Sequence, residues 1–254
     1  MTPKRESPRG NVGVGVFLQA RIGSTRLKEK VLLSLAGRTA VEHAMMSLRC
    51  FEADIYLLLT DWESSRRLEP YARRCGFEVF PGSSEDVLAR YAGALREHQV
   101  DRIVRATADN PLVSSDLAID LLRLHVAGDA DFSGFIGMPL GLGVEIVESE
   151  ALLLEDREAT DPYEREHVNP FLYRRPERFS ILRPQVPAAY RMADRSVTLD
   201  TAEDYRYLTE LFDGLYSGRP IETLRVLDWL KRHPRSREAK EAHPGKEGAL
   251  RSVG

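Results

Sequence analysis

Cysteine is nearly absent: only Cys50 and Cys75 occur in 254 residues. The pair has no metal-ligand spacing, and so few thiols exclude a disulfide-stapled fold and fit a reducing cytoplasm. Each ends a helical pattern, so both read as half-buried spacers and not as nucleophiles. No apolar run approaches the roughly 20 residues that cross a bilayer, which excludes a membrane span. Residues 1–10 are charged and contain proline, without the apolar core of a secretory signal. Positive charge is not in surplus either: 36 Lys and Arg face 39 Asp and Glu, a formal net charge of −3. Nucleic-acid binding would therefore need a local basic patch, and the Arg73-Arg74 and Arg174-Arg175 pairs lack the interleaved aromatics of a stacking platform. Two glycine signatures are also missing. Neither Gly-x-x-x-x-Gly-Lys-Ser/Thr nor Gly-x-Gly-x-x-Gly stands between a strand and a helix, and Gly13-Val14-Gly15 has no third glycine in place. P-loop kinases and dinucleotide dehydrogenases lose ground accordingly.

What remains is an ordinary globular composition, 43% hydrophobic and 30% charged, on a chain long enough for a sizeable core. Residues 1–11 and the Lys/Arg/Glu/Gly-rich residues 235–254 read as disordered tails, which leaves one domain over 12–234. Within it, residues 12–18 form an apolar first strand. Thr39 caps a helix to about Arg49, with Glu42 completing a capping box. Strands follow over 54–60, 77–80 and 101–106, alternating with helices over 63–75, 84–98 (capped by Ser83) and from Ser114 or Ser115 to Val126. Alternation of this kind implies βαβ units and a mainly parallel sheet covered by helices on both faces. The second half reads differently: strands over 130–135 and 143–147 flank a flexible glycine-rich segment, and further short strands cover 179–183 and 196–199. Helices cover 148–155, 161–173, 201–212 and 219–233, the last with Leu224, Leu227 and Leu230 on one face. This half reads as a smaller mixed β insertion followed by helices.

Open α/β sheets bind ligands at the carboxyl ends of their strands. Three polar clusters fall there. Residues 19–30 carry two arginines, two lysines, a glycine and two hydroxyls just after the first strand. Asp109 stands in Thr107-Ala108-Asp109-Asn110-Pro111, and Asp200 in Leu199-Asp200-Thr201-Ala202-Glu203-Asp204. Taken singly, each has a plainer reading: a solvated basic turn, an Asx turn before proline, an N-cap with Asp204 in the first turn. Taken together, a cationic glycine-containing loop and two strand-end carboxylates match what metal-assisted chemistry on a nucleoside triphosphate requires.

The run from Val16 through Gln19-Ala20-Arg21-Ile22-Gly23-Ser24-Thr25-Arg26-Leu27 to Lys30-Val31-Leu32 resembles the signature loop of the cytidylyltransferases that activate acidic sugars. That family includes the 3-deoxy-manno-octulosonate and acylneuraminate enzymes. The Gln-Ala-Arg opening most resembles the branch named after spore coat polysaccharide biosynthesis protein F. Thr107 to Leu112, Gly143-Val144-Glu145-Ile146, Arg165-Glu166-His167-Val168-Asn169-Pro170 and Leu199 to Asp204 match in order, so the resemblance covers about residues 12–212. It implies a glycosyltransferase-A-like nucleotidyltransferase that moves CMP from CTP to an acidic sugar, sugar phosphate or phosphonate. Arg21 and Lys30 would bind the triphosphate, with Gly23, Ser24 and Arg26 lining the cradle. Gln19 and Ala20 would lie near the base, and Thr107 and Ala108 would border the nucleotide. Asp109 and Asp200 would hold Mg²⁺, with Arg21, Lys30 and Asp109 the catalytic set. Glu145, Glu166 and His167 would face the acceptor, although His167 also reads as a helix-face histidine satisfied by Glu164 or Glu166. A homodimer is implied too, with residues 134–147 as interface or mobile loop. A nucleotidyltransferase using another triphosphate, or a non-catalytic nucleotide-binding subunit of this fold, are the alternatives. Two departures stand out. Lys28-Glu29 replaces the family's Pro-Gly, which implies a less rigid loop, and Gly143 replaces an acid at the acceptor wall.

Overall fold

The computed structural model describes residues 13–235. The expected tails lie outside them except for Arg235, which pairs with Glu203 and Asp204 at 3.2 Å each.

The chain begins with β1 (Val14–Gln19), the small antiparallel hairpin β2 (Ser34–Leu35) and β3 (Arg38–Thr39), and α1 (Ala40–Leu48). It continues through β4 (Ile55–Asp61), α2 (Trp62–Arg74), β5 (Glu78–Gly82), α3 (Val87–His98), β6 (Arg102–Thr107) and α4 (Ser115–Ala127). Then come β7 (Phe132–Gly134), β8 (Glu145–Glu148), α5 (Ser149–Glu158), α6 (Pro162–His167), α7 (Pro170–Tyr173), β9 (Ile181–Leu182), α8 (Ala202–Leu215) and α9 (Thr223–Arg232). Seven strands join in the order β5-β4-β1-β6-β8-β7-β9. The β5-β4-β1-β6 half is parallel, whereas β8 runs antiparallel to both β6 and β7. The mixed strands thus continue the main sheet.

Period-two alternation builds the two buried faces. Val16 and Leu18 of β1 join a cluster with α1, α2 and α4, while Phe17 joins one with α3, α5 and α7. A third cluster packs α8 and α9 against Leu35, Leu112 and Leu142. Local chemistry sets several boundaries, the first of them as expected. Thr39 and Glu42 form the capping box of α1, and Gly76 takes φ +72° after α2.

Five expectations are corrected. Asp86, not Ser83, caps α3; Ser83 Oγ is spent on the Glu85 and Asp86 amides of the preceding turn. The helix expected over 161–173 breaks in two because Val168 (φ 55°) and Asn169 (φ 70°) leave helical geometry. Residues 196–199 form no strand; Ser196 makes one isolated bridge with Leu140. Leu224 is 48% exposed, and α9 instead buries Val226, Leu227, Trp229 and Leu230. Cys75 is half-buried, but Cys50 is exposed. No helix among the described residues is long and apolar enough to cross a membrane.

Candidate active site

The ladder of β1 extends one residue past the strand, through Ala20 N–H to Leu59 O (3.0 Å) and Ala108 N–H to Gln19 O (2.8 Å). The chain then turns out along α2, where the Ile22 amide donates to Ser64 Oγ at 3.0 Å. It returns through Glu29, which is left-handed (φ 52°) and grips Arg67 of α2 by two hydrogen bonds of 2.8 and 3.0 Å. At Lys28-Glu29, where the family has Pro-Gly, the chain instead carries an exposed bidentate ion pair to α2. Lys30 follows, and its Nζ donates to Asp109 Oδ2 (2.9 Å) and Asp200 Oδ1 (2.8 Å). Lys28 is exposed, so Lys30 is the loop lysine at the acidic pair. Burial would lower the Lys30 pKa, but the Asp109 and Asp200 carboxylates outweigh it, and the net movement is upward.

Each aspartate is placed by its surroundings. Asp109 follows β6, accepts from Thr107 Oγ1 at 2.6 Å, and its carbonyl accepts the Leu199 amide at 2.8 Å. That backbone bond brings Asp200 beside Asp109. The approach of residues 197–199 also needs Gly141, which has φ +99° and where a Cβ would lie 3.1 Å from Thr198 N and Val197 C. The capping role open to Asp200 is filled next door, because Thr201 caps α8 in a box with Asp204. The Asp200 carboxylate is thus left for Lys30.

A second cluster lies on the α3 side of the sheet, where alternation places Gln19, Arg105 and Glu145 together. Arg105 donates to Glu145 Oε2 (2.6 Å), Gln19 Oε1 (3.3 Å) and the His167 carbonyl (3.2 Å). Asn169 Nδ2 adds a 2.8 Å bond to the same Glu145 oxygen. Burial alone would depress the Arg105 pKa, but Tyr91 and Glu145 beside it move it up, so the guanidinium stays charged.

The sequence profile of the cytidylyltransferase family matches residues 16–230. The chain belongs to that family. It is 31% identical over 223 residues to an uncharacterized protein of Methanocaldococcus jannaschii, covering 86% of this chain and 90% of the other. Identity to spore coat polysaccharide biosynthesis protein SpsF of Bacillus subtilis is 28% over 233 residues, covering 89% and 97%. Among solved structures, a cytidylyltransferase of Leptospira borgpetersenii superposes with TM-score 0.81 at 28% identity, covering 88% and 96%. CMP:2-keto-3-deoxy-manno-octonic acid synthetase complexed with CTP superposes with TM-score 0.63 at 14% identity, covering 80% and 99%, a likeness of fold.

In this member of the family the other expected positions fall as follows. Arg21, Gly23 and Arg26 are exposed, Ser24 is half-buried and Ala108 is buried. A Cβ at Gly23 would meet nothing within 4 Å, so the loop is open there. Gln19, expected beside the base, turns its carboxamide to Arg105. His167 lies against Tyr163 with the rings tilted and their centroids 4.3 Å apart, Glu164 pairs with Arg175 at 2.8 Å, and Glu166 is exposed on α6. At Gly143 the place of a side chain is taken by the Met138 methyl, with which a Cβ would collide. Residues 134–147 are tied to the body by bridges from Ile136 to Gln185 and Leu140 to Ser196. A cleft of about 640 Å³ lies apart from these groups, behind the β2–β3 hairpin; its Arg74 is spent on Glu42 and its Arg38 on Tyr216. Sequence reasoning passed over Arg105 and Asn169. The available signal was a lone arginine inside the apolar run Ile103-Val104-Arg105-Ala106, because a buried charge requires partners.

Proposed function

We propose that this protein transfers CMP from CTP to a small acidic sugar, sugar phosphate or phosphonate, releasing pyrophosphate, in surface polysaccharide or glycoconjugate synthesis. The observation that carries the reading is Lys30 held between Asp109 and Asp200 at the exit of the β1 loop. Two carboxylates converge there on a single cationic atom, which makes the pair a fit for a small hard cation. Among the described residues no group of three or more His, Cys, Asp or Glu could hold a metal, so such an ion would keep water and phosphate ligands, the habit of Mg²⁺. Asp109 and Asp200 would hold it, and when bound it supplies neutralising charge at the phosphates.

The remaining work belongs to the chain. Arg21, exposed on the loop, and Lys30 bind the triphosphate and favour the charge that moves onto pyrophosphate. An acceptor oxygen forms a bond to the α-phosphorus, and the bond from that phosphorus to the bridging oxygen breaks with its electron pair leaving on pyrophosphate. A hydroxyl acceptor surrenders its proton; a phosphate or phosphonate arrives ionised. The protein works in the cytoplasm as a homodimer on this reading, with residues 134–147 as the candidate interface.

The test is pyrophosphate release with CTP, GTP, UTP and ATP, Mg²⁺ and pooled cell metabolites, with mass spectrometry for a new cytidylylated product. CTP should stand out, Asp109→Ala should abolish release, and Arg21→Ala should lose about 2–4 kcal/mol of transition-state stabilisation. Full activity in Asp109→Ala would sink the metal assignment, and equal use of all four nucleotides would sink the base assignment.

A further inference from the structure

We propose that the Lys30 ammonium and the metal are alternative occupants of the Asp109–Asp200 pair, so the site takes its metal together with the triphosphate and holds the free ion poorly. The inference rests on the transfer reaction proposed above and concerns how its site is loaded. Lys30 Nζ donates to Asp109 Oδ2 at 2.9 Å and to Asp200 Oδ1 at 2.8 Å. Among the described residues it has no other hydrogen-bond partner. The ammonium stands between the two oxygens that a cation bridging these aspartates would take, and its charge has the same sign. The two cations therefore exclude one another.

The surroundings fix the main chain and leave the lysine side chain as the part that can move. Val31, the next residue, is 3% exposed in the core cluster with α1 and α2. The Leu32 amide closes on the Glu29 carbonyl at 2.8 Å. On the acidic side, Thr107 Oγ1 holds Asp109 Oδ1 at 2.6 Å, and the Leu199 amide on the Asp109 carbonyl sets the chain that carries Asp200. What can change is the flexible lysine stem, whose rotamers interconvert without moving the backbone.

Burial decides which exchange is favourable. The Lys30 side chain is 15% exposed, and those of Asp109 and Asp200 are 30% and 18% exposed. A charge this far from water is costly to leave without a partner. A free divalent ion would gain the two carboxylates but strand the ammonium beside it, a poor trade for an ion that sheds its water reluctantly. A triphosphate changes the balance. Its oxygens give the ammonium new partners while the carboxylates turn to the metal. One lysine thus serves two roles in turn, first closing the acidic pair and then holding the phosphates.

The test uses the full chain with Mn²⁺ as the probe ion, its free concentration read by electron paramagnetic resonance. Lys30→Met, which keeps an unbranched stem and removes the charge, should bind Mn²⁺ alone about tenfold more tightly than wild type. Asp109→Asn on that background should cancel the gain. Lys28→Met, which removes the exposed loop charge two residues away, should stay within about twofold of wild type. Trace acetylation of the wild type, followed by mass spectrometry, reads the ammonium directly. Saturating Mn²⁺ should raise the labelling of Lys30 about threefold and leave Lys28 unchanged, and CTP added with Mn²⁺ should protect Lys30 again. Equal Mn²⁺ affinity in wild type and Lys30→Met would overturn the inference, as would the same gain in Lys28→Met or Lys30 labelling that ignores Mn²⁺. Failure of the metal reading itself would look different: no variant would bind Mn²⁺ through Asp109 with or without CTP, and both conclusions would fall. Should Lys30→Met not fold, the labelling of the wild type decides alone.

Discussion

Glu155 sits on α5 with no exposed surface, and both its carboxylate oxygens lack hydrogen-bond partners. Burial pushes its pKa up to about 8; the backbone N–H groups of Phe171 and Asn169 nearby pull the other way without closing a bond. With the folded value above the ordinary 4.5, folding retains a proton that the unfolded chain gives up. Its contribution is therefore complete below about pH 4.5 and is lost as pH rises through about 8. Glu155→Gln should melt close to wild type near pH 5 and higher than wild type near pH 9, read by thermal unfolding across about that range. Parallel melting profiles would show that burial does not raise this pKa. Residues of this kind were not legible in the sequence, because neither spacing nor composition reveals what a helix face packs against. The meeting of Lys30, Asp109 and Asp200 was legible for the opposite reason. Asp109 and Asp200 each follow a short apolar run and Lys30 lies in the loop that leaves one, so chain direction brings them to one edge of the sheet.

At the scale of elements, the parallel half could be read because its strands are continuous apolar runs bounded by caps and glycines. Thr39 with Glu42 and Gly76 mark their helix ends by local chemistry that survives any tertiary context. The break between α6 and α7 could not be read, since Val168-Asn169 is an unremarkable pair until Arg105 and Glu145 come from strands far away in sequence. Residues 196–199 have strand-like composition but meet only one bridge partner, so they stay extended without joining the sheet. Their path is set by Gly141, and this yields an element-level prediction. Gly141→Ala must hold φ near +99° and press its methyl on the Val197–Thr198 backbone. It should cost about 1–3 kcal/mol in chemical unfolding. Activity should fall further than stability does, because Asp200 hangs from the displaced segment. A stable variant with full activity would mean that the segment is placed by something else.

At the scale of the molecule, strand order explains why clusters remote in sequence meet. β1 lies between β4 and β6, so the loop after β1 opens directly beside the turn after β6. The third cluster, built from α8 and α9 on Leu35, Leu112 and Leu142, then delivers Asp200 from the far end of the chain. Sequence reasoning anticipated the sheet and the convergence; it could not anticipate that β8 and β7 would extend the sheet and supply Glu145 to the second cluster.

The Lys30 tie also bears on the order in which the protein assembles. One ammonium links positions 79 and 170 residues away from it. Contacts that close such long loops return nothing until the intervening sheet exists, so they belong to the last folding events and the first openings. Backbone amides at residues 199–204 should exchange with deuterium well before those of β1 and β6, in peptides resolved by mass spectrometry. Mild urea should then silence the protein while the sheet is still protected, whereas simultaneous exchange of all these amides would mark a single cooperative unit. On the first outcome, losing the Lys30 tie and losing the fold would be separable events.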